Sequence, residues 1–362
     1  MTRPPYTCRM SGRCLHGAVR SGIATLVLCT LVSAAALAHH SFAPHFDREK
    51  PVSISGTITR YDGRNPHSYL HVAATDENGR EREYVCESHG VTQLSRNGIT
   101  PAMLKAGTRV RVRGSLSRHS PYMCFFDSLE FADGRVLNVN GSSEPARADA
   151  VPVRKDIFGV WLLAPMPGRS TSGPQPMMAA LTPAGQKAVA AYDPFRDDPT
   201  FRCDPVTIRR VWGAPGTPLE IARQGSDIVL RHEWMDVRRV VHMNMRTHPA
   251  KGAPGSLGHS IGRFENGTLI VETAHYAPGV LNQYVEEAGK PTRGLLHSAA
   301  LRATERIRFD AARGRLVVEI DHVDPDYFTQ PFPRVTLEYA PSALKIEPFN
   351  CAPAGTTGLI RK

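Results

Sequence analysis

The sequence predicts an all-β fold with a few short helices, arranged as two domains in series, and three observations carry that expectation. Short runs alternate apolar and polar side chains, as in Val52-Ser53-Ile54-Ser55-Gly56-Thr57-Ile58, which is the period of a half-buried strand. Turn signals such as Asn78-Gly79, Asn266-Gly267 and Arg313-Gly314 punctuate the runs. Between residues 141 and 155 the chain has little apolar content and two prolines, which reads as a linker.

In the first domain, residues 39–140, strands are expected at Val52 to Ile58, Tyr69 to Val72, Glu83 to Cys86, Arg109 to Gly114 and Tyr122 to Phe131. Asp76-Glu77-Asn78-Gly79 is a natural hairpin turn between the second and third. Val91 to Leu104 is a non-strand segment, with Thr100-Pro101 as a helix start and Gly107 as its stop. Five strands with a helix between the third and fourth is the order of an OB-like five-stranded barrel.

The second domain, residues 156–362, opens on a strand containing Gly159-Val160-Trp161. Thr182-Pro183, a cap followed by a proline at the first helical position, starts a short helix that runs to Tyr192. Strands follow at Leu219 to Ala222, Asp227 to Trp234, Arg238 to Met245, Gly258 to Phe264, Thr268 to Thr273, Leu301 to Phe309, Arg315 to His322 and Arg334 to Tyr339. Strands without alternating helices predict an antiparallel β-barrel. The Gly-x-Trp on its first strand is similar to the opening of lipocalin-type barrels, which implies a lipocalin-like closure; a Trp on a buried strand also serves simply as core.

Residues 1–38 carry Arg3, Arg9, Arg13 and Arg20 and no acid, then the apolar stretch Ile23 to Leu37, and close on Ala36-Leu37-Ala38. That is a secretory signal peptide, and its apolar run is shorter than the ~20 residues of a spanning helix. The expected mature chain starts at His39, has no transmembrane segment and works in the periplasm. Losing four arginines leaves 40 basic residues against 34 acidic ones, a net +6 with no Lys/Arg block, so nucleic acid is not an expected partner. Of seven cysteines, Cys86, Cys124, Cys203 and Cys351 remain, an even number suited to disulfides in an oxidising compartment. Four cysteines allow three connectivities; pairs 86–124 and 203–351 each stay inside one domain and are preferred for that reason.

Two stretches resemble exported bacterial families of unknown function. His39-His40-Ser41-Phe42-Ala43, followed by Phe46-Asp47, Lys50-Pro51-Val52, Gly56-Thr57-Ile58 and Asn65-Pro66-His67, resembles a small domain whose mature members begin His-His-Ser-Phe-Ala. Arg64, Cys86 and Cys124 depart from its usual pattern. Leu181-Thr182-Pro183, Tyr192-Asp193-Pro194, Gly258-His259-Ser260-Ile261-Gly262-Arg263, His297-Ser298 and Glu305-Arg306 are similar to a second, uncharacterised exported family. That resemblance spans most of residues 156–352, includes a closing cysteine, and supports the 203–351 pair. It implies no activity.

Two constellations can carry chemistry. Cleavage after Ala38 frees an α-amine on His39, and His40, His45 and His67 can complete a nitrogen-rich metal site for copper or zinc, with His71, on the same strand face as His67, and His89 as further candidates. A solvated histidine-rich terminus is the competing reading. In the second domain, His259, Arg263, Glu272, His297 and Glu305 form a polar ligand site if their strand faces converge at a barrel mouth. Buried ion pairs that fix strand register explain the same residues without a ligand. Met243 and Met245 are expected to share a strand face as core. The sequence therefore points to an exported binding protein for a metal ion or a small molecule, rather than an enzyme. The alternatives are a periplasmic hydrolase or metal-dependent enzyme using Ser260 or Ser298 with barrel histidines, and an envelope protein without ligand.

Overall fold

A computed structural model describes residues 45–139, 151–164, 180–193, 197–214, 216–250, 252–285 and 293–353. The N-terminal part contains β1 (Phe46–Asp62), β2 (His67–Thr75), β3 (Glu81–His89), α1 (Val91–Arg96), β4 (Arg109–Ser117), β5 (Met123–Phe131) and β6 (Val136–Asn138). The sheet order is β3-β2-β1-β4-β5-β6, and a parallel contact between β3 and β5 closes its first five strands into a small barrel. That ring, with α1 after β3, is the expected OB-like arrangement; β6 is an addition. Inward residues Ile54, Ile58, Leu70, Val72, Val112 and Leu129 form its core with Leu94 from α1.

The helix begins at Val91, well before Thr100-Pro101, which starts only a 3₁₀ turn, Pro101–Met103. Its cap comes from a distant residue: Asn65 Oδ1 accepts the Thr92 N–H at 3.3 Å. A Cβ on Gly90 would meet that same oxygen at 2.2 Å, so only glycine lets Asn65 in.

The C-terminal part holds β7 (Gly159–Leu163), α2 (Pro183–Ala191), α3 (Ile208–Trp212), β8 (Pro218–Gln224), β9 (Asp227–His232), β10 (Val237–His242), β11 (His259–Glu265), β12 (Thr268–Ala274), β13 (Gly279–Val285), β14 (Arg293–His297), β15 (Arg302–Asp310), β16 (Arg315–Val323) and β17 (Val335–Pro341). Nine of these strands close a barrel in the order β10-β11-β12-β15-β16-β17-β7-β8-β9, and β13–β14 is a separate hairpin. A ring in which every neighbour is antiparallel needs an even number of strands. Nine therefore force one parallel pair, which corrects the fully antiparallel expectation. The pair is β10–β11, joined over only two residue pairs, Val241↔Ser260 and His242↔Ile261. A parallel step cannot be made by a tight turn, and the described residues between the two strands, 243–250 and 252–258, belong to a long return loop. β10 ends at His242, so Met243 and Met245 lie past the strand and do not share a strand face; Met243 still packs on the core.

Trp161 is fully buried and its indole N–H donates to the Ile157 carbonyl at 2.9 Å, so it serves as core. At the start of α2, Thr182 Oγ1 accepts the Gly185 N–H at 3.1 Å, the cap expected from Thr182-Pro183.

Both disulfides form, Cys86–Cys124 and Cys203–Cys351. The first joins register partners of the β3–β5 seam, where the small barrel closes. The second anchors the segment that reaches the N-terminal sheet, where Asn65 bridges to Cys351 and accepts the Ala352 N–H at 2.9 Å. Nearby, Arg96 of α1 grips the buried Glu233 through both carboxylate oxygens. The second disulfide closes a loop with a sequence separation of 148. Replacing both of its cysteines with alanine is expected to cost about 2–5 kcal/mol, read as a lower urea midpoint. An unchanged midpoint would show that the bridge does not form. Among the described residues, no helix is long and apolar enough to cross a membrane.

Candidate functional site

Strand alternation decides which predicted site residues meet. On β15, Ala303, Glu305 and Ile307 are buried on one face; on β10, Val237, Arg239 and Val241 are. Glu305 thus faces the barrel interior, where Arg239 grips it at 2.6 and 2.7 Å and the indole N–H of Trp212 on α3 donates to it. Trp212 stands edge-on to His232 at 5.0 Å and to Tyr339 at 5.7 Å, and the Tyr339 hydroxyl donates to the Trp212 carbonyl. Glu305 is therefore fully engaged by protein groups. His259, Arg263 and Glu272 lie on the outer face, with Arg263 bonded to Glu272 at 2.8 Å and to Glu265. The five predicted ligand residues do not converge on one site.

His297 lies at one end of the barrel interior. It ends β14, is buried, and sits edge-on to Tyr276 at 5.8 Å. The following residue is clamped: Ser298 donates its N–H to Asp324 Oδ2 at 2.6 Å and its hydroxyl to Asp324 Oδ1 at 2.7 Å. The His297 Nδ1 lies 2.9 Å from the Ser298 carbonyl, which can only accept, so Nδ1 carries the proton. Burial lowers the pKa of His297, which leaves Nε2 as a bare lone pair with no protein partner. A Cβ on Gly279 would approach that nitrogen to 3.2 Å.

The sequence reading did not single out His322, which shares this end of the barrel. It is buried, pairs in register with Ala303, and packs edge-on against Phe332 at 6.2 Å. Burial, with Arg209 and His297 close by, lowers its pKa to about 3. Neither of its ring nitrogens has a protein partner. Its only signal in the sequence was its place on an apolar strand, where a histidine reads as a satisfied core residue.

Neither candidate serine hydroxyl bonds an imidazole: that of Ser298 donates to Asp324, and Ser260 Oγ lies 2.9 Å from Thr273 Oγ1. In the N-terminal part, His39 and His40 lie outside the described residues. His45 is buried with its ring 5.6 Å from that of His119. His67 lies 2.9 Å from Glu87, and His71 is flanked by Asp62, Glu83 and Arg60. His89 stands edge-on to Phe125 at 5.7 Å. Among the described residues, no three His, Cys, Asp or Glu side chains have gathered their donor atoms as a ready metal set.

Fold and site together define an all-β protein of two barrels and two disulfides, with buried, unpartnered imidazoles at one end of the larger barrel. Residues 26–122 match a family of unknown function (DUF6152). No curated protein matches the chain.

Proposed function

We propose that this is an exported, periplasmic binding protein that holds a small, uncharged polar molecule against His297 and His322. The export part rests on the basic and apolar pattern of residues 1–38, on the two disulfides and on the resemblance of the C-terminal part to an exported family. The binding part is carried by one observation: three imidazole nitrogens buried at one place without a protein partner. A buried polar group left unpaired costs about 1–3 kcal/mol, so such a cluster favours a guest that supplies the missing bonds. Neutral His322 offers one donor and one acceptor, and His297 Nε2 offers an acceptor. A hydroxyl or primary amide group has both functions and answers that set, whereas a purely apolar ligand leaves it unsatisfied.

Thermal-shift measurements against small alcohols, polyols and primary amides test the reading. Some of these compounds are expected to raise the melting temperature of the wild type and to leave His322→Leu unmoved. If no compound stabilises the wild type, or each stabilises both proteins equally, the reading fails.

A further inference from the structure

On the outer face of the barrel, four histidines from separate places in the chain meet where β10 and β11 overlap. His242 ends β10, His259 begins β11, His275 follows β12, and His248 lies on the return loop that the odd strand number requires. His248 Nδ1 and His259 Nδ1 are 2.9 Å apart. The His248 ring is 5.2 Å from that of His259 and 5.7 Å from that of His275, and His259 is 6.4 Å from His275. Imidazoles sharing one ion at about 2.0–2.1 Å have bonded nitrogens roughly 3 Å apart and ring centres roughly 5 Å apart. The first pair has that spacing, and the third ring stands next to it.

The surroundings hold these rings in place. The loop carrying His248 is tied to the His275 segment by the Gly255↔Tyr276 bridge, by the Gly255 N–H on the His275 carbonyl at 3.2 Å, and by the Ala277 N–H on the Gly255 carbonyl at 3.0 Å. His275 itself has φ 59°, a left-handed conformation that a non-glycine residue seldom adopts. His242 stacks on His259 at 5.1 Å, with its planes only 23° apart, and its Nδ1 reaches Asp227 at 3.1 Å. A ring stacked face to face with a ligand does not share that ligand's ion, so His242 orients His259.

We infer that His248 and His259 form a binding site for a divalent first-row transition cation, completed by the turning of His275 and backed by the Asp227–His242 pair. Nitrogen donors without thiolate suit Zn(II), Ni(II) or Cu(II) and not Ca(II) or Mg(II). Three imidazoles leave a coordination position open. The site is on the opposite side of the barrel wall from His297 and His322 and does not depend on the ligand reading.

Isothermal titration with zinc chloride tests the inference, using tag-free protein in which His39→Ala and His40→Ala have removed the amino-terminal chelate. One zinc per chain is expected. His259→Ala and His248→Ala should each weaken it by at least about tenfold, and His275→Ala should weaken it as well. Circular dichroism establishes that the variants fold; should His259→Ala fail to do so, His248→Ala, on a loop, carries the comparison. No zinc binding by the background protein, or equal affinity in folded His248→Ala, would overturn the inference and leave the 2.9 Å contact as a plain hydrogen bond between histidines.

Discussion

Replacing Glu305 with alanine is expected to destabilise the protein by about 3–5 kcal/mol, the range for breaking a buried ion pair from one side. Glu305 is completely buried, and its carboxylate neutralises Arg239 through two bonds while accepting the Trp212 indole N–H. Truncation leaves a guanidinium and an indole N–H unpaired inside the barrel. The energy is a penalty for the survivors rather than the value of the pair, so Arg239→Met combined with Glu305→Leu should recover much of the loss. Urea unfolding of the wild type, the single variants and the double variant reads this directly. A Glu305→Ala loss below about 1 kcal/mol, the range of an exposed pair, would mean that the two residues meet in water.

Acidification from pH 7 to pH 5 is expected to remove several kcal/mol of stability. Burial, reinforced by Arg239, lowers the pKa of His232 to about 3, and burial beside Arg209 does the same to His322. In the unfolded chain both titrate near ~6.5. Between those values the unfolded state binds the proton and the folded state does not, so stability is fully present above about pH 6.5 and drains as pH falls towards 3. Each histidine contributes a slope of about 1.4 kcal/mol per pH unit within that window. His67 acts in the opposite sense. Burial alone would lower its pKa, but the charge and hydrogen bond of Glu87 outweigh that and raise it, so its contribution is lost as pH rises. Urea midpoints at several pH values should fall steadily below pH 6.5, and His322→Leu should flatten the slope by about one proton. A flat profile from pH 7 to 5 would show that these rings are hydrated or exposed.

What the sequence made legible was local. Glu265-Asn266-Gly267 announces its hairpin because two successive residues take positive φ, 47° and 78°, which Asn and Gly tolerate. The helix at Thr182-Pro183 and the strand alternation of β4 and β15 were equally plain. The start of α1 was not, because its cap is Asn65, which lies 27 residues away from Thr92. α3 escaped because five residues are too few to display a helical period, and the β13–β14 hairpin was passed over because its strands lack clean alternation.

The parallel β10–β11 step was in principle countable. The opening strand at Trp161 and the eight strands after Cys203 already make nine, and a closed antiparallel ring cannot have nine members. That step produces the long loop carrying His248. In sequence, His259 drew notice beside Ser260 and Arg263, yet its neighbours in space are His242, His248 and His275. Glu305 and His297 were singled out together with His259 as polar residues on or beside strands; Glu305 lies on β15 of the barrel and His297 on the separate β13–β14 hairpin. Separating them from His259 needs to know which side of the wall each faces, and one residue of strand register reverses that.

The most direct test of binding at the end of the barrel interior is an experimental crystal structure of the protein with the compound that stabilises it most. The account predicts that the compound lies beside His322 and His297, with its hydroxyl or amide bonded to the ring nitrogens that have no protein partner. A compound bound elsewhere, with both imidazoles satisfied by protein side chains, would contradict it.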